Sequence, residues 1–297
     1  MKRGLVALLG VAVIALAGCG NAQGSAAAPA TSAAAPSARI VPLTGDVAEI
    51  VFKLGLADKV VGVDLSAMGL PEAKGKAQIG YQRALAAEGI LSLKPTVLVG
   101  TEDAGPPPVI EQLKGAGLRI VLVPTGAASV DEVPGKIEQV AEAVGEPGKG
   151  AALAATTKAE IDAAKASVRA GAKKPRVAFL YLRGQSKTYQ LGGAGTRADA
   201  MILAAGGEDA GTAAGVKGFK PITAEAMVKA APDVILVMKM GLDSVGGEPG
   251  LLKLPGVAQT PAARNGRVVA LDDLELLGMG PRTGQALAKL VTAFQQR

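Results

Sequence analysis

From residue 39 onward one pattern recurs along the chain: a short apolar run, a turn, an amphipathic stretch, then another short apolar run. Arg39-Ile40-Val41 is the first such run. Thr44 to Leu54 follows, with Val47, Ile50, Val51 and Leu54 spaced to share one helical face, and Val60-Val61-Gly62-Val63 is the next strand. Val97-Leu98-Val99 and Ile120-Val121-Leu122-Val123 continue the series, with a helix over 106–116 between them. Arg176-Val177-Ala178-Phe179-Leu180, Val234-Ile235-Leu236-Val237 and Arg267-Val268-Val269-Ala270 repeat it in the second half, and a helix over 282–296 closes the chain. Strands alternating with helices predict an α/β fold with mainly parallel sheets.

The two halves also share letters. Ala87-Glu88 and Ala224-Glu225 each open a helical turn or two, followed by Pro95 and Pro232 seven residues after the Glu, and then an apolar strand. Proline forbids further helix and sets the turn into the strand. Between the halves, residues 150–170 lack Pro and internal Gly, so one helix of about 30 Å fits there. The expected organisation is an N-terminal lobe over 39–145, a connecting helix over 146–172 and a C-terminal lobe over 173–297. These would be two Rossmann-like lobes joined by one long α-helix, with a ligand cleft between them.

The first residues follow other rules. Lys2 and Arg3 precede an apolar run from Leu5 to Ala17, too short for a bilayer span of about 20 residues. Basic start, apolar run and small residues before a break form a secretory signal over 1–18. Leu16-Ala17-Gly18-Cys19 resembles the bacterial lipoprotein box, which implies lipidation of Cys19; the plainer reading is a core thiol. Residues 19–38 are that cysteine and a linker of mostly Ala, Ser, Gly, Pro and Thr, which cannot bury enough apolar surface to order itself.

Composition then removes several chemistries. The 297 residues contain no His and one Cys. Ser-His-Asp and Cys-His nucleophiles, His-ligated metal sites and CxxC motifs are therefore absent, and no disulfide can form within the chain. Aromatics are 2%, with no Trp, which argues against a base-stacking nucleic-acid platform. The net charge of +6 comes from scattered residues, and an excess this small on a chain this long describes a solvated surface.

Few segments carry candidate chemistry. Gly193-Ala194-Gly195-Thr196-Arg197-Ala198 fits a dinucleotide fingerprint, but the strand before it ends about ten residues too early, so a plain loop is expected. Glu102-Asp103 could seed a carboxylate site, although adjacent loop acids are usually solvated. Tyr181 falls in a strand and is expected in the core. Tyr81 and Tyr189 each fall in a loop after an early strand of their lobe, with Arg83, Arg183 and Arg197 nearby. A phenolate is a hard ligand for ferric iron, a nearby cation favours the anion, and tyrosine ligation of haem iron has precedent. The plain alternative is two surface tyrosines.

Four stretches carry a family resemblance: Gly80-Tyr81-Gln82-Arg83-Ala84-Leu85-Ala86-Ala87-Glu88, Glu102 to Pro107, Gly241 to Gly247, and Leu276 to Thr283. With them the chain from Arg39 to Phe294 resembles the haem-binding (HmuT-type) periplasmic binding proteins of bacterial ABC importers. The resemblance implies Tyr81 as an iron ligand, Tyr189 as a second, and Arg83, Arg183 and Met238 in the haem pocket. It further implies that Glu88 and Glu225 dock onto a permease dimer with its ATPase. The helix macrodipole alone would also favour acids at those two positions. The expected function is capture of haem outside the cytoplasmic membrane, without catalysis, by a monomer held to the membrane through its lipid anchor. A ferric-siderophore or corrinoid carrier of the same fold is the alternative, and a secreted α/β enzyme a more distant one.

Overall fold

The computed structural model describes residues 38–125, 128–171 and 173–296, which fall in one compact unit, Ser37–Arg297. The expected signal, the linker and Cys19 lie outside the described residues.

The first lobe begins with β1 (Ile40–Pro42), α1 (Gly45–Lys53), β2 (Gly62–Val63) and β3 (Ala77–Gln78). A hairpin of β4 (Gly80–Tyr81) and β5 (Ala84–Leu85) follows, then α2 (Ala87–Ser92), β6 (Val97–Thr101), α3 (Pro107–Gly115) and β7 (Arg119–Val123). The strands β1, β6 and β7 form a parallel sheet in that order, with Val97 opposite Ile40 and Arg119 opposite Val97. The pair β2–β3 is also parallel, and Val60 bridges Ile40. All five residues of β6 are buried, as expected for a central strand covered on both faces.

Two helices lead out of this lobe: α4 (Val133–Ala143) and α5 (Pro147–Ala166). The 20 residues of α5 span about 30 Å. Its alanine-rich sequence has no strong apolar stripe because it is gripped from two sides. On one side Gly150 faces α4, where an added Cβ would stand 2.2 Å from the Ala141 Cβ. On the other it receives the last helix of the chain.

The second lobe comprises β8 (Arg176–Arg183), β9 (Thr188–Gly192), α6 (Ala198–Ala204), β10 (Glu208–Asp209), α7 (Ala210–Ala213), β11 (Phe219–Pro221) and α8 (Ala224–Ala230). It continues through β12 (Val234–Met238), α9 (Lys239–Ser244), α10 (Gly247–Leu251), α11 (Pro261–Arg264), β13 (Val268–Leu271), α12 (Asp273–Leu277) and α13 (Thr283–Gln295). Its sheet runs β11-β9-β8-β12-β13, with β10 beside β8. The strands β8, β12 and β13 are parallel, while β9 and β11 are antiparallel additions. Gly284 of α13 sits on α5, where an added Cβ would lie 2.4 Å from the Glu160 Cβ.

Three apolar clusters result. One lies on the outer face of the first sheet around Leu98, Ile90 and Leu113, and one on the outer face of the second around Leu180, Leu182 and Leu191. The third joins the inner layers of both lobes with α4, α5 and α13, running from Val47 through Ile137 and Ile161 to Phe179 and Leu290. Burying each such large side chain is worth about 1.5–3 kcal/mol. This continuous core holds the lobes on a common support.

Two segments expected as loops are paired. Gly80-Tyr81 and Ala84-Leu85 form a hairpin that Gly80 enters with φ of 96°, a conformation that costs glycine little. Thr188 to Gly192 alternates polar and apolar residues and extends β8 into a hairpin, with Leu182 opposite Tyr189 and Tyr181 opposite Gln190.

Candidate functional site

Strands of both sheets point their carboxyl ends at one seam, where α/β proteins collect their functional groups. From the first lobe come the turn after β2, the β4–β5 hairpin and the loop after β6. From the second come the end of β8, the loop into α6, the end of β12 and the short helix α12.

Tyr81 stands on its hairpin with 43% of its surface exposed. The hairpin is tied to the loop after β6 by backbone bonds, Leu85 N–H donating to Gly105 O (2.9 Å) and Gly105 N–H to Gln82 O (2.8 Å). That loop carries Asp103, whose Oδ1 accepts from Arg83 Nη2 at 2.8 Å. The other oxygen of Asp103 takes Arg197 from the second lobe. The acids Glu102-Asp103 are thus not a solvated pair: Asp103 is a bridge, and Arg197 beyond it donates to Leu277 O at 3.1 Å.

Tyr181 is half-buried at the end of β8. It lies on the sheet face of Phe179 and Phe219, with its ring 5.4 Å from that of Phe219. The Arg183 guanidinium sits 4.6 Å above the Tyr181 ring, a cation–π arrangement. Arg183 Nη2 also lies 3.6 Å from Asp273 Oδ2, and Asp273 accepts from Met240 N–H at 3.2 Å. Burial raises the Asp273 carboxyl above its ordinary range, opposed by the Met240 N–H and Arg183.

The second-lobe residues named from the sequence are divided between the two faces of the sheet and its core. Side chains alternate along a strand, so Tyr181 and Tyr189 leave opposite faces of the β8–β9 pair. Tyr189 packs against the outer cluster of Leu182 and Leu191, away from Tyr181. Met238 is buried in the main core, 2% exposed, because it ends an all-buried strand. Met240, two residues on, is 67% exposed beside Asp273. Tyr181, which inside an apolar strand looks like core, is instead half-buried with Arg183 two positions later, the same Tyr-x-Arg spacing as Tyr81 and Arg83.

Around α12 the lobes are stitched by charge. Lys136 of α4 is buried and lies 2.5 Å from Asp46 Oδ2, while donating to Gly278 O (3.0 Å) and Met279 O (3.1 Å) of the second lobe. Burial pushes the Asp46 carboxyl up, but the Lys136 ammonium outweighs it and the group stays below its ordinary range. Arg282 follows in the same segment and pairs with Glu49 of α1 at 2.5 Å. Burial pushes the Glu49 carboxyl up despite that arginine.

Apolar surface is exposed at the seam, although Leu203, Val228 and Leu252 are exposed elsewhere. Leu65 (46%) and Met68 (44%) lie on the turn packed near β4, and Phe219 (38%) and Met240 lie beside Tyr181 and Asp273. Asp64 caps that turn, its Oδ2 accepting from Ser66 N–H (3.0 Å) and Ser66 Oγ–H (2.6 Å). Among the described residues no group of three Cys, Asp or Glu is placed to hold a metal ion. Glu88 and Glu225 are both exposed in the first turns of α2 and α8, and neither forms an ion pair among the described residues.

Comparison with known proteins gives this geometry its relatives. The periplasmic heme-binding protein RhuT from Roseiflexus sp. RS-1 superposes with a TM-score of 0.83 at 52% identity, covering 87% of this chain and 98% of that one. The heme-binding protein HmuT gives 0.80 at 32% identity, over 88% of this chain and 85% of that one. HmuT has also been solved as three alanine variants, one of a histidine, one of a tyrosine 99 residues later and one of an arginine two beyond that. Among sequence relatives, the ABC transporter substrate-binding lipoprotein YvrC of Bacillus subtilis is 28% identical over 99% of this chain and 97% of its own length. A vitamin B12-binding protein of Vibrio parahaemolyticus is 24% identical over 89% and 92%. The family model for periplasmic binding proteins matches residues 40–274. With two α/β lobes on a helical support and a carrier's seam rather than a catalytic centre between them, the chain belongs to the periplasmic binding protein family.

Proposed function

We propose that this protein captures haem outside the cytoplasmic membrane, ligates its iron with Tyr81 and Tyr181, and delivers it to an ABC permease while tethered through lipidated Cys19. The observation that carries the reading is the pair of Tyr-x-Arg segments, one on each lobe, both at the carboxyl ends of the strands. Tyr81 and Tyr181 are 100 residues apart with Arg183 two beyond, nearly the spacing of the three residues varied in HmuT. The absence of His leaves a phenolate as the natural hard ligand for ferric iron in this chain. Leu65, Met68, Phe219 and Met240 supply apolar surface for a porphyrin face, and Arg83 and Arg183 supply cations for its carboxylates. Glu88 and Glu225, alike in sequence context and unpaired among the described residues, serve as the acids that meet basic sites on the two halves of the permease.

The reading is tested by optical titration with ferric haem. Wild type is expected to show saturable Soret changes with phenolate-to-iron charge-transfer bands. Tyr81→Ala and Tyr181→Ala each weaken them, whereas Tyr189→Phe leaves them unchanged. Unaltered bands in both Tyr81→Ala and Tyr181→Ala would overturn the assignment. A second reading, a corrinoid carrier, is supported by the vitamin B12-binding relatives. A corrinoid shields its own metal, so both tyrosine variants would bind it as wild type does.

A further inference from the structure

We infer that Asp103 is an interlobe latch that holds the arginines of both lobes in the unloaded protein and yields them to the carboxylates of an anionic cargo. Three observations lead there. Asp103 spends one oxygen on each lobe, Oδ1 on Arg83 of the hairpin at 2.8 Å and Oδ2 on Arg197 ahead of α6. The other charged links between the lobes, Lys136 to Gly278 and Met279 and Arg282 to Glu49, each end on a fully buried charged group, Lys136 or Glu49, on the side of the shared core. The Asp103 bridge lies instead in a loop at the strand ends, with a fifth of its side chain exposed and Arg83 61% exposed.

The third observation is conformational. Arg197 has φ of 65°, a left-handed backbone that costs a non-glycine residue energy. Its guanidinium is fixed at both ends of that cost, by Asp103 across the seam and by Leu277 O within its own lobe. A residue kept in this state aims its side chain at the opposite lobe and gives it an anion-shaped partner there. Asp103 supplies one negative charge to two guanidiniums, so the trio keeps a net charge of +1. A second carboxylate can enter it by exchange, taking Arg83 first because that arm is solvated and its pair with Asp103 is the weaker. Latching and anion capture thereby use the same two arginines, which couples cargo arrival to release of the lobes.

The test uses the chain from Ser37, the compact unit described above, which lacks Cys19 and therefore any native thiol. Spin labels at Gln112→Cys on α3 and Lys220→Cys on β11, one per lobe, report the lobe separation in the absence of any cargo. The latch predicts that Asp103→Asn widens the distance distribution toward longer separations, while Asp103→Glu stays near wild type. Identical distributions for wild type and Asp103→Asn would overturn it. The exchange step rests on the haem reading and is read separately, with ferric protoporphyrin and its dimethyl ester. Asp103→Asn is expected to bind the dicarboxylate roughly 2- to 5-fold tighter, the scale of one competing ion pair, and the ester no differently. A loss of affinity for both porphyrins would make Asp103 structural and sink the exchange. Failure of wild type to bind either porphyrin would count against the haem reading alone, because the label distances judge the latch without cargo.

Discussion

Asp64 offers a perturbation whose size follows from the structure. It is fully buried, its Oδ1 has no hydrogen-bond partner, and Asp46 stands near enough to repel it. Burial, offset in part by the Ser66 hydroxyl and N–H, raises its carboxyl to about 6 from an ordinary 3.8. A carboxyl held above its unfolded value binds its proton more tightly in the folded protein. Its ionisation therefore costs stability progressively as pH rises from about 4 to about 6. Two pKa units and a little more amount to about 3 kcal/mol at neutral pH. Asp64→Asn keeps the acceptor for Ser66 and removes the charge, at the cost of a buried amide donor worth about 1–3 kcal/mol if unpaired. That cost is independent of pH, so the difference between variant and wild type isolates the titration. Urea midpoints at pH 4, 5, 6 and 7.5 should show the variant gaining about 2–3 kcal/mol relative to wild type across that range. A difference that stays constant with pH would mean that the Asp64 carboxyl titrates alike in the folded and unfolded chain. Such a strained acid is kept, on this account, because it caps the turn that places Leu65 and Met68 beside the Tyr81 hairpin, with Ser66 Oγ accepting in turn from Gly45 N–H at 2.9 Å.

Other consequences are equally open to measurement. Lys136→Met strands the Asp46 carboxylate in the core and should cost about 3–5 kcal/mol in urea unfolding, with Lys136→Met/Asp46→Leu recovering a large part. The Asp46 pair carries stability that is present above about pH 4, the unfolded carboxyl value, and is lost as pH falls below the native one. Gly284→Val should push α13 off α5 and lower stability by about 1–3 kcal/mol, whereas a Val at Gly145, whose Cβ would meet nothing, carries only the strain of its φ of 79°. Glu88→Arg with Glu225→Arg should abolish uptake through the permease in reconstituted vesicles while leaving the haem titration of the purified protein untouched.

The lobes were legible because their strands are apolar runs separated by amphipathic helices, a signal that survives without tertiary information. The long helix was legible from its part after Gly150, which lacks Pro and Gly, though its two-sided grip through Gly150 and Gly284 was not, since neither glycine announces its partner. The first-lobe residues Tyr81 and Arg83 stood out in a polar loop. Tyr181 did not, because it is one of six non-polar-looking letters in a row, Val177 to Leu182, and only pairing shows which face it takes. Met238 is buried because its strand is covered on both faces, which an apolar run alone does not reveal, and the exposed methionine is Met240 on the helix that follows. Asp103 showed in the sequence only as half of an acidic pair, with nothing to mark it as a bridge. Its meaning depends on Arg197, 94 positions away, and on the seam that brings them together.

Direct comparison of two cargoes decides whether this protein carries haem on phenolate ligands. Purified protein is titrated calorimetrically and optically with ferric haem and, in parallel, with cyanocobalamin. Saturable binding of haem with phenolate charge-transfer bands, and no saturable binding of the corrinoid, is the result this account predicts. Saturable binding of cyanocobalamin with no spectral response to haem would contradict it and leave the two-lobed carrier standing with another cargo.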